Sequence, residues 1–147
     1  MLYFDTSYLV RLYLQDRGFE LVRALASKES IASSRHGKSE LTGALHRAYR
    51  EKRFSRGVYE EVLRQVSEDF QSGGITLLEM TEGVFECVES RFGWIPRETF
   101  LRTADALHLA CASIHGFKEI YSHDQHLLQA ASLFGLIPRN VIVEEGM

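Results

Sequence analysis

Leu2-Tyr3-Phe4-Asp5-Thr6-Ser7 sets an apolar triplet against an acid and two hydroxyls. The triplet reads as a short strand ending at Asp5, and Thr6 and Ser7 can cap the helix predicted through Leu9, Leu12 and Tyr13. The same alternation runs outward along the chain. Gly18 precedes a second short helix through Leu21, Val22 and Leu25, and residues 30–33 form a weak strand. Leu41, Ala44, Leu45, Ala48 and Tyr49 mark an amphipathic helix. Val58, Val62, Val66 and Phe70 mark another, closed by Gly73-Gly74. Residues 75–78 are strand-like, and Thr81 heads a helix carrying Val84, Phe85, Val88 and Phe92. Residues 99–115 read as a helix apolar almost all round. Then come a strand at 119–122, a helix over 124–134 ending at Gly135, and a last strand at 141–143. Strands alternating with helices, without hairpin signals, predict an α/β fold with a parallel sheet covered on both faces.

The length of 147 residues suits a single domain, 1–147, and no linker or repeat divides it. Hydrophobic residues at 45% and charged residues at 25% exclude a disordered chain. No apolar run approaches a membrane span, and Asp5 interrupts the segment a signal peptide would need. Cys87 and Cys111 build neither a disulfide framework nor a zinc motif. These features predict a soluble, cytoplasmic protein with no membrane partner. The net charge is −3, but its distribution is uneven. Residues 35–56 hold seven bases against two acids, and residues 57–98 hold three against nine. Such an asymmetry can orient an anionic ligand. Its plain alternative is a solvated helix face.

Four acids stand out from the polar helix faces. Asp5 and Asp124 each follow an apolar strand, at the end where open parallel sheets bind ligands. Asp105 is the lone acid in Ala104-Asp105-Ala106-Leu107-His108-Leu109-Ala110, and a buried charge needs a partner. Glu40 lies at the margin of its helix's apolar stripe. Each has a simpler reading: helix caps for Asp5 and Asp124, an ion pair with Arg102 for Asp105, a surface residue for Glu40. Together in one pocket they repel, each pair at ~4 Å costing on the order of 4 kcal/mol at an effective dielectric of ~20. A hard divalent cation, Mg²⁺ or Mn²⁺, removes that cost and supports phosphoryl chemistry.

Asp5-Thr6-Ser7, Ser39-Glu40-Leu41, Arg102-Thr103-Ala104-Asp105-Ala106-Leu107-His108-Leu109-Ala110 and Ser122-His123-Asp124 resemble, in order and spacing, the four acidic motifs of PIN domains. They are most similar to those of VapC-type ribonuclease toxins of type II toxin–antitoxin modules. His123 stands where an Asn or an apolar residue is more usual. The resemblance implies a three-layer fold whose parallel sheet has five strands in the order 3-2-1-4-5, flanked by helices. It implies a Mg²⁺- or Mn²⁺-dependent endoribonuclease with Asp5 and Asp105 as main metal ligands. Glu40 and Asp124 would act directly or through metal-bound water. Ser122 would orient Asp5 or a water, and Thr6 would support the ligands from behind. In-line attack by water would leave a 5′-phosphate and a 3′-hydroxyl. The implied partners are RNA, a second copy of the chain, and a small VapB-like antitoxin covering the active groove.

Two other readings compete. A non-catalytic PIN-like module would bind RNA or protein without turnover. A receiver-like phosphoacceptor would need an adjacent acid pair after the first strand, whereas Asp5 stands alone. In the ribonuclease reading, Arg47, Arg50 and Arg53 extend from the helix of Glu40 as a track for RNA phosphates.

Overall fold

The computed structural model describes residues 1–142. Strand β1 (Leu2–Tyr3) runs into α1 (Thr6–Leu9), which tightens at once into a 3₁₀ turn, Val10–Leu12. The continuous first helix expected from Leu9, Leu12 and Tyr13 is thus split in two. After α2 (Phe19–Ala26), strand β2 (Ile31–Ser34) leads directly into α3 (Arg35–Arg50), whose first turn is capped by the Ser34 hydroxyl accepting from the Gly37 N–H. Then follow α4 (Arg56–Gln71), β3 (Ile75–Leu78) and α5 (Glu82–Phe92). The chain continues through α6 (Thr103–Ile114), β4 (Glu119–Tyr121), α7 (Gln125–Ala130) and β5 (Ile137–Arg139).

All ladders are parallel. Strands β1, β2 and β3 form one sheet with β2 central, and β4 and β5 form a second. The two meet at a single bridge between Phe4 and Tyr121, where the Asp5 N–H donates to the Tyr121 carbonyl at 3.1 Å. The expected five-strand sheet is therefore two ladders joined at one point, with β1 beside β4. The pleat turns successive β1 side chains to opposite faces. Leu2 and Phe4 pack with Tyr8, Leu9, Leu41 and Leu45 on one side, while Tyr3 packs with Val84, Leu109, Ile120 and Leu127 on the other. Helices α1–α4 cover the first face and α5–α7 the second, giving the three layers that the alternation implied.

Two boundaries differ from expectation. The helix predicted from residue 99 begins at Thr103, because Arg102 is extended and acts as its N-cap residue. Phe100, counted as part of the apolar run, is exposed and lies against His126 with ring centroids 4.5 Å apart. The last strand is Ile137–Arg139 rather than 141–143. Val141 and Ile142 are irregular, and Val143 lies outside the described residues. Pro138 has no N–H to give a ladder, but among the described residues β5 pairs with β4 alone, and an edge tolerates such a residue. Among the described residues, no helix is long and apolar enough to cross a membrane.

Candidate active site

Asp5 follows β1 and Asp124 follows β4, so adjacent strands deliver both acids to one end of the fold. Each caps the helix that follows. Asp5 Oδ1 accepts the Tyr8 N–H at 3.1 Å, and Asp124 Oδ1 accepts the Leu127 N–H at 3.0 Å. Their other oxygens are aimed elsewhere. Asp5 Oδ2 accepts the Ser122 hydroxyl at 2.6 Å, and the same Ser122 oxygen accepts the Asp124 N–H at 2.9 Å. Ser7 makes a parallel tie, donating to Asp5 Oδ1 at 2.6 Å and accepting the His123 N–H at 2.9 Å. Asp5 is only 3% exposed. Burial raises its carboxyl pKa, against the opposing pull of nearby His108 and the two serine hydroxyls.

Asp105 stands in the first turn of α6 and forms the ion pair with Arg102 that the sequence left open. Arg102 Nε donates to Asp105 Oδ2 at 3.0 Å, while its Nη2 donates to Asp124 Oδ2 at 2.8 Å. Burial raises the Asp105 pKa; Arg102 opposes this and the Asp124 charge adds to it. One guanidinium therefore holds two acids, with its side chain 56% exposed.

Glu40, in the second turn of α3, is held differently. Its Oε1 accepts the Thr6 hydroxyl at 2.6 Å and His108 Nε2 at 2.8 Å, and pairs with His36 Nε2 at 3.0 Å. Burial alone would raise its pKa, but the hydrogen bonds from His108, His36 and Thr6 outweigh it and hold the carboxyl far below the usual range. The same contact with Glu40 raises the pKa of His36. Behind His108, the buried Tyr3 hydroxyl lies 2.7 Å from Nδ1. Because the Glu40 carboxylate can only accept, the imidazole carries a proton on Nε2, and in the neutral ring Nδ1 accepts from Tyr3; this tautomer is assigned from the network. Gly37 admits the arrangement, since a Cβ there would lie 2.8 Å from Ser33 Oγ and 2.9 Å from His108 Cε1.

The four sequence-selected acids thus join one chain of contacts, running Asp5–Ser122–Asp124–Arg102–Asp105, with Glu40 tied in through Thr6, the neighbour of Asp5. They are not the tightest donor cluster. Among the described residues, the group whose metal-binding atoms all lie within 4.8 Å is His36, Glu40 and His108. In that group the imidazole N–H groups already face an acceptor oxygen, so it reads as a hydrogen-bond network. Sequence reasoning missed Tyr3, Ser7, His36 and His108 as participants. His36 precedes Glu40 by four residues and His108 follows Asp105 by three, the helical spacing that sets side chains on one face. That spacing could have drawn attention to both.

The proposed phosphate track lies toward the other end of α3. Arg47 pairs with Glu51 at 2.8 Å, Arg53 pairs with Asp16 at 2.7 Å, and Arg50 is exposed.

Solved structures share this architecture. Mycobacterium tuberculosis VapC20, described as a sarcin-ricin loop cleaving toxin, is 17% identical with a TM-score of 0.66, over 88% of this chain and 95% of that one. FitAcB from Neisseria gonorrhoeae is 15% identical with a TM-score of 0.71, over 94% and 96%. VapBC2 from Rickettsia felis, bound to a DNA fragment from its promoter, is 13% identical with a TM-score of 0.60, over 95% and 98%. At such identities the likeness is one of fold. No curated protein matches the chain. The family model described as PIN domain matches residues 2–133, nearly the whole chain. The chain belongs to the PIN domain family.

Proposed function

We propose that the protein is a metal-dependent endoribonuclease, the toxin of a toxin–antitoxin pair, built as one PIN domain. The observation that carries this reading is the single contact chain linking Asp5, Asp124 and Asp105, with Glu40 beside it, at the strand ends of a parallel α/β fold. Carboxylates backed by serine and threonine hydroxyls are a hard oxygen set suited to Mg²⁺ or Mn²⁺. The acids also need positive charge, a need Arg102 meets for Asp105 and Asp124. Asp5 and Asp105 would be the main ligands, with Glu40 and Asp124 acting directly or through water. A divalent cation there lowers the pKa of water and offsets phosphate charge. Ser7 and Ser122 hold the buried Asp5 in place, so its orientation does not depend on substrate. Thr6 does the same for Glu40.

RNA would approach over Arg47, Arg50 and Arg53. Its cleavage by water would leave a 5′-phosphate and a 3′-hydroxyl. Partners in this reading are a small antitoxin and a second copy of the chain, in the cytoplasm. The VapBC2 structure, solved with a fragment of its promoter, supports the antitoxin. The test is RNA cleavage with Mn²⁺ and with chelator, for wild type and Asp5→Asn. Cleavage by wild type with Mn²⁺ alone, and a loss on the order of 10²–10³-fold in Asp5→Asn, is expected. Binding without turnover in every condition would instead identify a non-catalytic module.

A further inference from the structure

We propose that Tyr3 and His108 form a buried positioning relay that fixes one oxygen of Glu40 and leaves the other to the active groove. The inference rests on the nuclease reading and deepens it. Both hydrogen bonds found on Glu40 among the described residues go to Oε1, from Thr6 at 2.6 Å and His108 at 2.8 Å, and His36 Nε2 lies 3.0 Å from the same oxygen. Oε2 receives none of them, and the side chain is one-third exposed, which leaves this oxygen for a cation or a water.

The donors are themselves held from behind. His108 is buried at the centre of α6, and its Nε2–H faces both Glu40 Oε1 and the Thr6 oxygen, 2.9 Å away. Its Nδ1 faces the Tyr3 hydroxyl at 2.7 Å, and the two rings meet edge to face at 5.8 Å. Tyr3 is fully buried on β1, two residues before Asp5, with its ring edge against Phe117. The Glu40 carboxylate can only accept, which puts a proton on Nε2, and in the neutral ring Nδ1 then accepts from the Tyr3 hydroxyl. His36 adds a donor shared with the Ala104 carbonyl, 3.2 Å away on the approach to Asp105. Tyr3 thus couples the strand bearing Asp5 to the helix bearing Asp105 and, through His108, to Glu40. Neither Tyr3 nor His108 touches the groove, so both act through Glu40. Loss of a partner behind a ligand typically costs 10–100-fold in metal affinity or activity.

The test combines three readouts. Long-range ¹H–¹⁵N correlation of the wild-type imidazoles should find the His108 proton on Nε2; a proton on Nδ1 overturns the relay. Mn²⁺ titration followed by electron paramagnetic resonance should show about 10–100-fold weaker binding in Tyr3→Phe and His108→Leu. His108→Gln, which keeps a donor near Nε2, should restore most of the affinity. Cleavage kinetics should show kcat falling in step with KM for RNA unchanged. Tyr3→Phe keeps the ring and its packing, and circular dichroism checks its fold. Wild-type Mn²⁺ affinity and kcat in folded Tyr3→Phe would overturn the proposal. If wild type binds Mn²⁺ but cleaves no RNA, the nuclease reading fails, and the tautomer and the metal titration still decide the relay.

Discussion

The candidate site holds its acids in two ways. In one half, Asp5 and Glu40 are fixed by uncharged hydroxyls, a backbone N–H and imidazoles. In the other, the buried Asp105 and the partly exposed Asp124 share the guanidinium of an exposed arginine. Neutral donors fix direction and leave the negative charge largely in place. A mobile cation neutralises charge, and a competing cation or phosphate can displace it. The half held by neutral donors is therefore the rigid part of the site and the Arg102 half the exchangeable part. Asp5 and Glu40 also differ from each other. Burial wins for Asp5 and raises its pKa, whereas three donors win for Glu40 and lower it.

That last difference gives the largest expected effect, in metal-free protein. Glu40 stabilises the fold above the pKa of an unfolded glutamate, about 4.5, and loses that contribution as pH falls toward its depressed folded value. Glu40→Gln should cost about 1.5–3 kcal/mol at pH 7, the range for a hydrogen bond to a charged group, and less below pH 4.5. Asp5 has the opposite sign. Its raised folded pKa means stability falls as pH climbs from 3.8 through that value. Asp5→Asn, which can still cap α1, should raise the melting temperature at pH 7 and have little effect below pH 3.8. Thermal melts of both variants from pH 3 to 8 check the pair of signs. Equal pH profiles would break the distinction between the two acids.

Next comes the exchangeable half. Arg102→Met removes two ion pairs, the exposed one to Asp124 worth roughly 0.2–1 kcal/mol, and leaves Asp124 and the buried Asp105 to repel. The variant should melt lower than wild type in chelator and gain more from Mn²⁺. An equal Mn²⁺ shift in both proteins would show that Arg102 does not compete with the cation.

The smallest effect is expected farthest from the acids. Neutralising Arg47, Arg50 and Arg53 together should weaken RNA binding for all sequences alike and flatten its salt dependence, by about one unit of slope for each phosphate no longer neutralised. Since Arg47 and Arg53 already have acidic partners, the change should fall short of three full units. Fluorescence anisotropy in an Asp5→Asn background measures it. An unchanged slope would assign the track to a solvated helix face.

The helices α3, α4 and α5 were legible because their apolar residues recur at helical spacing and tertiary packing agrees with local preference. The two poorly placed boundaries lie where the local signal belonged to another contact. Phe100 and Leu101 continue the apolar run of α6, yet Arg102 starts the helix later and turns its charge to Asp105 and Asp124. Pro138 hid β5, because a proline weakens a strand prediction unless the strand is known to be an edge. The acids were legible for a different reason. Asp5, Asp105 and Asp124 occupy places where a charge is costly without a partner, and that cost shows in the residues beside them.

By itself the sequence determined the alternation of short strands and amphipathic helices, the strand-end placement of Asp5 and Asp124, and the anomaly of one acid within the apolar α6. Each is a local property, set by the spacing of apolar residues along a few turns or one strand. Only the tertiary structure decided what holds each acid. Ser122 reaches Asp5 across 117 residues, His108 reaches Tyr3 across 105, and Glu40 meets His108 across 68. Those hydrogen bonds exist because β1 lies beside β4 and α3 packs near α6. A hydrogen bond tolerates only a few tenths of an ångström, which strand pairing and helix packing can supply and chain spacing cannot.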